Sequence, residues 1–208
     1  VRGFSVRNRQ PGLGTPLVAV GRPAGEKALF QTTPLTVFLR VRGTLRDLGR
    51  GLVRGSLEVH SPYETTGVTV GDRTVPLEID TTVHLAYALN QEFIWRVGRL
   101  QFLSPRERIP SGVHLGEPYR PGRIPVVFVH GTFSSPVKWA EMVNTLGADF
   151  LLRQRYQFWT CIYNTGNPVS YSAVRLREAL VDKVRELDPE GRDPALRQMI
   201  VIGHSQGG

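Results

Sequence analysis

Gln198-Met199-Ile200-Val201-Ile202-Gly203-His204-Ser205-Gln206-Gly207-Gly208 is the stretch whose reading decides the rest of the chain. Its apolar run is too short for a helix and rich in β-branched side chains, so it reads as a strand. The strand leads into Gly203-x-Ser205-x-Gly207, the spacing of a nucleophile elbow, where a serine is held between a strand and a helix in a strained backbone conformation. Side chains two residues to either side would collide there, and the sequence places glycine at both positions. Ser205 is therefore the candidate nucleophile. About 75 residues upstream a second apolar run, Val126-Val127-Phe128-Val129, ends in His130-Gly131-Thr132, where a loop supplying an oxyanion hole is expected.

Working outward, residues 124–208 alternate strand and helix signals. The run 124–129 is continuously apolar, as in strands buried on both faces. Pro136 opens a helix whose Trp139, Met142, Val143 and Leu146 share one face, with Gly147 ending it. A strand at 158–163 follows, then the turn-rich Asn164-Thr165-Gly166-Asn167-Pro168. Residues 172–187 read as a helix with an apolar stripe of Ala173, Leu176, Leu180, Val184 and Leu187. Pro189 to Pro194 breaks it before the elbow strand. This order predicts an α/β class with a parallel sheet and right-handed crossovers.

The earlier part reads differently. Residues 1–16 are an extended lead-in, and 17–103 form a smaller β-rich domain with strands at 35–41, 56–60, 68–70, 74–79 and 93–103. Gly71-Asp72-Arg73 reads as a hairpin turn, Pro76 marks an edge strand or a bulge, and 83–89 reads as a short helix. Residues 104–123 carry Pro105, Pro110, Gly112, Gly116, Pro118, Pro121 and Gly122 and read as a linker. Both of the motifs quoted above lie within 124–208.

Composition sets limits on function. Of the net charge of +8, residues 1–123 contribute 17 Lys/Arg against 10 Asp/Glu, and the rest 9 against 8. The basic residues of the first part are nearly all arginines, dispersed singly, which suits a solvated basic surface able to meet an anionic membrane better than a nucleic-acid arm. No aromatic-basic nucleic-acid motif is present. Cys161 is the single cysteine and lies in an apolar run, so it reads as a core thiol. No histidines or cysteines stand at metal-ligand spacing, and neither a metal nor an organic cofactor is expected. No window has the ~20 apolar residues of a membrane span. The chain starts at Val1 and stops at Gly208, where a helix should begin, so both ends read as cut.

From Ile124 to Gly208, about two-fifths of the chain, these motifs resemble the first half of an α/β-hydrolase of the lipase and esterase superfamily. The resemblance implies the first half of that family's parallel sheet, preceded here by the smaller β-rich domain. It makes Ser205 the nucleophile and the backbone N–H groups of Thr132 and Gln206 the oxyanion donors. Gly131 lets the loop approach the elbow, while His130, Gly203, His204 and Gly207 are supporting residues. Phe133 and the 164–168 loop are candidates for lining an acyl pocket. From Pro121 onward the chain also resembles bacterial envelope hydrolases with an N-terminal β-domain, which implies an envelope or periplasmic setting. In the family the acid and the histidine follow the serine, so both are expected beyond Gly208.

The expected activity is hydrolysis of carboxylic esters, lipid or other acyl substrates, through an acyl-enzyme. An acyltransferase would use the same nucleophile. A third reading is a non-catalytic protein whose basic β-domain binds an envelope or polyanionic surface.

Overall fold

The computed structural model describes residues 4–21, 31–90 and 111–208. The first part of the chain runs through strands β1 (Arg9–Gln10), β2 (Thr15–Val20) and β3 (Thr32–Arg42), helix α1 (Leu45–Gly49), strands β4 (Arg54–His60), β5 (Gly67–Val70), β6 (Arg73–Pro76) and β7 (Ile79–Asp80), and helix α2 (Val83–Leu89). The second part holds β8 (Gly112–Leu115), β9 (Ile124–Val129), α3 (Ala140–Ala148), α4 (Phe150–Arg155), β10 (Tyr156–Ile162), α5 (Val169–Leu187) and β11 (Ile200–Gly203). The strand expected at 93–103 lies outside the described residues, as does part of the 104–123 stretch.

Small antiparallel sheets make up the first part. β2, β3 and β4 form one sheet in that order, β5 pairs with β6, and β1 with β7. Val70 pairs with Arg73, leaving Gly71-Asp72 as a two-residue turn with Gly71 at φ 64°. That positive φ costs glycine nothing. Pro34 sits inside β3, yet the ladder to β4 begins only at Thr36, so Pro34 has a strand neighbour on one side alone. A residue without an N–H tolerates such an edge-like position. α2 begins where Asp80 Oδ1 accepts from the N–H groups of Thr82 and Val83 at 3.0 and 3.1 Å.

The second part corrects the expected fold class. A parallel α/β-hydrolase sheet is not what forms: the sheet is four-stranded and mixed, in the order β11-β9-β10-β8. β9 runs parallel to both β10 and β11, but β8 lies antiparallel along β10, with Trp159 opposite Leu115 and Ile162 opposite Gly112. The physical reason lies in the stretch read as linker. Its prolines and glycines punctuate Val113-His114-Leu115, which is long enough to satisfy the open edge of β10. With the antiparallel sheets of the first part, the molecule is β-rich and of mixed strand direction.

Helices close both faces of this sheet. Leu176, Ala179, Leu180, Val184 and Leu187 of α5 pack over Val127, Val129, Trp159 and Cys161. Trp139, Val143 and Leu146 pack over Val126, Phe128 and Ile202 on the other face. All six residues of β9 are buried. The predicted helix at Pro136 starts as a 3-10 turn, Pro136–Trp139, and continues as α3.

The two parts are stitched by polar contacts. Asn144 of α3 donates from Nδ2 to the Val6 carbonyl at 2.9 Å and accepts at Oδ1 from the Thr82 hydroxyl at 2.7 Å. The described lead-in residues are thus docked on α3. Glu117 accepts from Tyr63 Oη, from His84 Nε2 at 3.0 Å and from Arg120 at 2.9 Å. Arg153 of α4 donates to the carbonyls of Pro62, Gly147 and Ala148.

Candidate active site

The carboxyl ends of β9, β10 and β11 lie side by side, so the loops leaving them meet at one sheet edge. At the end of β11, Ser205 has φ 57°, in the left-handed region that a serine occupies only under constraint. The constraint is visible in its neighbours. A Cβ on Gly203 would stand 2.0 Å from the Gly207 carbonyl oxygen, and one on Gly207 would stand 2.6 Å from that of Val129. Both contacts are with backbone and cannot be relieved by a side-chain rotation. The turn is closed by Gly207 N–H to the His204 carbonyl at 3.1 Å and Gly208 N–H to that of Ser205 at 3.0 Å.

The loop after β9 comes against this turn. A Cβ on Gly131 would lie 2.8 Å from Ser205 Cβ, so only glycine lets the two segments approach this closely. Thr132 Oγ1 donates to Gln206 Oε1 at 2.5 Å and ties the loop to the elbow. No described residue accepts from the backbone N–H of Thr132 or of Gln206. The two N–H groups that sequence reasoning assigns to an oxyanion are therefore uncommitted, and their side chains hold the two segments together.

Thr165, in the loop after β10, was not singled out in the sequence. Its hydroxyl accepts from Phe133 N–H at 3.3 Å and its carbonyl accepts from Gln206 Nε2 at 3.4 Å. It is buried and links all three loops. Only the parallel placement of β9, β10 and β11 could have pointed to it. Phe133 has φ 54° and its side chain is exposed.

The histidines here are held by packing. His130 is buried, its Nδ1–H donates to the Gly131 carbonyl at 3.1 Å, and its ring stacks on Tyr163 at 4.7 Å. Burial lowers its pKa and keeps the imidazole neutral. Tyr163 Oη donates to the His130 carbonyl at 2.6 Å, which fixes the start of the loop. His204 is exposed, donates its backbone N–H to the Val129 carbonyl at 3.2 Å, and sets its ring edge-on to Trp139 at 6.4 Å. No described side chain hydrogen-bonds the Ser205 hydroxyl. Cys161 is buried within β10, where burial pushes its thiol up to about 12 and leaves it without a reactive thiolate.

Among the described residues, no three His, Cys, Asp or Glu side chains gather as a metal site, and no helix is long and apolar enough to cross a membrane. No protein-family model, curated protein or solved structure matches this chain.

Proposed function

We propose that Ser205 is an acyl-accepting nucleophile and that the protein is a serine hydrolase acting on carboxylic esters of lipid or other acyl substrates. The observation that carries this reading is the strained Ser205 set between obligatory glycines, next to two uncommitted backbone N–H groups. The constrained turn at φ 57° sets the direction of the Ser205 Cα–Cβ bond before substrate arrives. Resemblance of the two motifs to those of lipases and esterases supports the same chemistry.

In the proposed reaction Ser205 Oγ attacks the acyl carbon while a general base takes its proton. The carbonyl oxygen becomes an oxyanion and accepts from Thr132 and Gln206 N–H, each donor worth about 3 kcal/mol as the charge develops. Collapse expels the alcohol, which leaves with the proton, and water then cleaves the acyl-serine by the same steps. His130 is committed to the Gly131 carbonyl and Tyr163, and no described side chain hydrogen-bonds Ser205 Oγ. The reading therefore needs a histidine and a carboxylate brought to Ser205 by residues other than those described.

The test uses the complete polypeptide, with hydrolysis of a soluble p-nitrophenyl ester and covalent capture by a fluorophosphonate. Ser205→Ala is expected to lower kcat by about a thousandfold or more and to abolish capture, with the melting temperature retained. Undiminished hydrolysis in the folded variant, or a folded wild-type protein that neither hydrolyses the ester nor is captured, would overturn the assignment.

A further inference from the structure

The sheet formed by β2, β3 and β4 is inverted in polarity. Its covered face carries Thr32, Pro34, Thr36, Phe38 and Arg40, with Thr32 and Thr36 almost wholly buried. The polar groups on that face are satisfied: the Thr36 hydroxyl donates to the Glu78 carbonyl at 2.5 Å, that of Thr32 to the His84 carbonyl at 3.2 Å, and Arg40 pairs with Glu58. The opposite face carries Leu17, Leu35, Val37, Leu39 and Val41, with Leu57 opposite Leu39 and Val59 opposite Val37. Leu39 is 63% and Leu57 69% exposed. No described element packs across them. A half-covered antiparallel sheet ordinarily turns polar residues to water, so this apolar face has an occupant to account for.

The connection between β3 and β4 adds exposed leucines of its own. α1 is held by a capping box in which Thr44 and Asp47 satisfy each other's backbone N–H groups. That fixed turn offers Leu45 at 88% and Leu52 at 71% exposure, with Leu48 also outside. Arginines are interleaved with these leucines. Residues 39–59 contain five arginines against two carboxylates, a net charge of +3. Arg40 is paired, but Arg42, Arg46, Arg50 and Arg54 are exposed and no described carboxylate pairs with them. Asp47 is spent on the cap.

We infer that the hairpin β3-α1-β4, with the outer face of its sheet, docks on an anionic lipid bilayer, its leucines and valines entering the interface and its unpaired arginines meeting lipid phosphates. Charge decides between occupants. A second copy of the same surface would oppose arginine to arginine, and a neutral apolar partner would leave four guanidinium groups unpaired. An anionic membrane satisfies both components, because apolar burial and attraction to the surface potential add. The inference does not depend on the assignment of Ser205.

The experiment is co-sedimentation of the complete polypeptide with vesicles of phosphatidylcholine alone and of phosphatidylcholine with added phosphatidylglycerol, at low and high ionic strength. Binding is expected to anionic vesicles and to weaken with salt. Each Arg→Gln change at 42, 46, 50 or 54 should weaken it about fivefold, the factor for ~1 kcal/mol per cationic side chain. The pair Leu39→Gln and Leu57→Gln should weaken it further while raising solubility. Both sets are surface changes, and circular dichroism together with the melting temperature reports their folding. Equal binding to neutral and anionic vesicles would overturn the inference. So would binding unchanged by these substitutions, or a dimer in solution that Leu39→Gln and Leu57→Gln dissociate.

Discussion

The sheet around β9 and the sheet around β3 differ in what they put inside. Helices close both faces of β9, and all six of its residues are apolar and buried. β3 is covered on one face only, and that face takes Thr32, Pro34, Thr36, Phe38 and Arg40, leaving leucine and valine on the other. Alternation along a strand states only that the two faces differ. Which of them turns inward is decided by what lies across. In β3 the inner threonines find carbonyl acceptors on Glu78 and His84, and Phe38 stacks on His60 at 5.5 Å. The lesson is that burial follows the available partner as much as it follows hydrophobicity.

The comparison can be broken at four places. Phe128→Ala in β9 should cost about 4 kcal/mol, the transfer of a ring plus the cavity it leaves, as read by urea denaturation. A loss below ~1 kcal/mol there would mean that the closed core is not what holds the sheet. Second, Glu117 sits at the seam between the two parts, and Glu117→Ala should cost about 3 kcal/mol because it strands His84 and Arg120. Burial opposes its ionisation, but His84, Arg120 and Tyr63 outweigh burial and hold its pKa below the ordinary 4.5. A depressed carboxylate stabilises fully above its unfolded value. Wild type should therefore lose stability relative to Glu117→Gln as pH falls below 4.5 through the folded value, and parallel pH profiles would exclude Glu117 as the seam.

Smaller effects sharpen the contrast. Ser205→Gly should raise stability by about 1 kcal/mol, since glycine accepts φ 57° without strain, and should abolish ester hydrolysis. A thermal melt that does not rise would mean that the elbow stores no strain. Last, Leu39→Ala in β3 should change stability by less than ~0.5 kcal/mol, against the large loss for Phe128→Ala. Comparable losses at the two positions would erase the difference between a covered and an open face.

Legibility followed the range of the contacts involved. The continuous apolar run of β9, the turn at Gly71-Asp72 and the span of α2 each rest on signals within a few residues, and each was readable. α1 and α4 were not, because their caps at Thr44 and Asp149 precede helices of only five and six residues, too short to show a periodicity. β8 was hidden for a different reason: its three apolar or ring side chains lie among prolines and glycines, and only the open edge of β10 makes them a strand. At the candidate site the motif residues could be named in advance, yet Thr165 could not. It matters only because β10 runs parallel beside β9 and brings the 164–168 loop against Phe133 and Gln206.

What the sequence by itself determined is local. It set glycine at 131, 203 and 207, where a Cβ would strike backbone or the serine itself, and it set the unpaired arginines among the leucines of residues 39–59. Tertiary structure alone decided the mixed direction of the four-stranded sheet, the inward turn of the polar face of β3, and the meeting of Thr132, Thr165 and Gln206 at one edge. The reason is physical. A glycine's need is fixed by atoms a few bonds away, whereas the direction of an edge strand and the face it buries depend on free energies gained from segments distant in the chain.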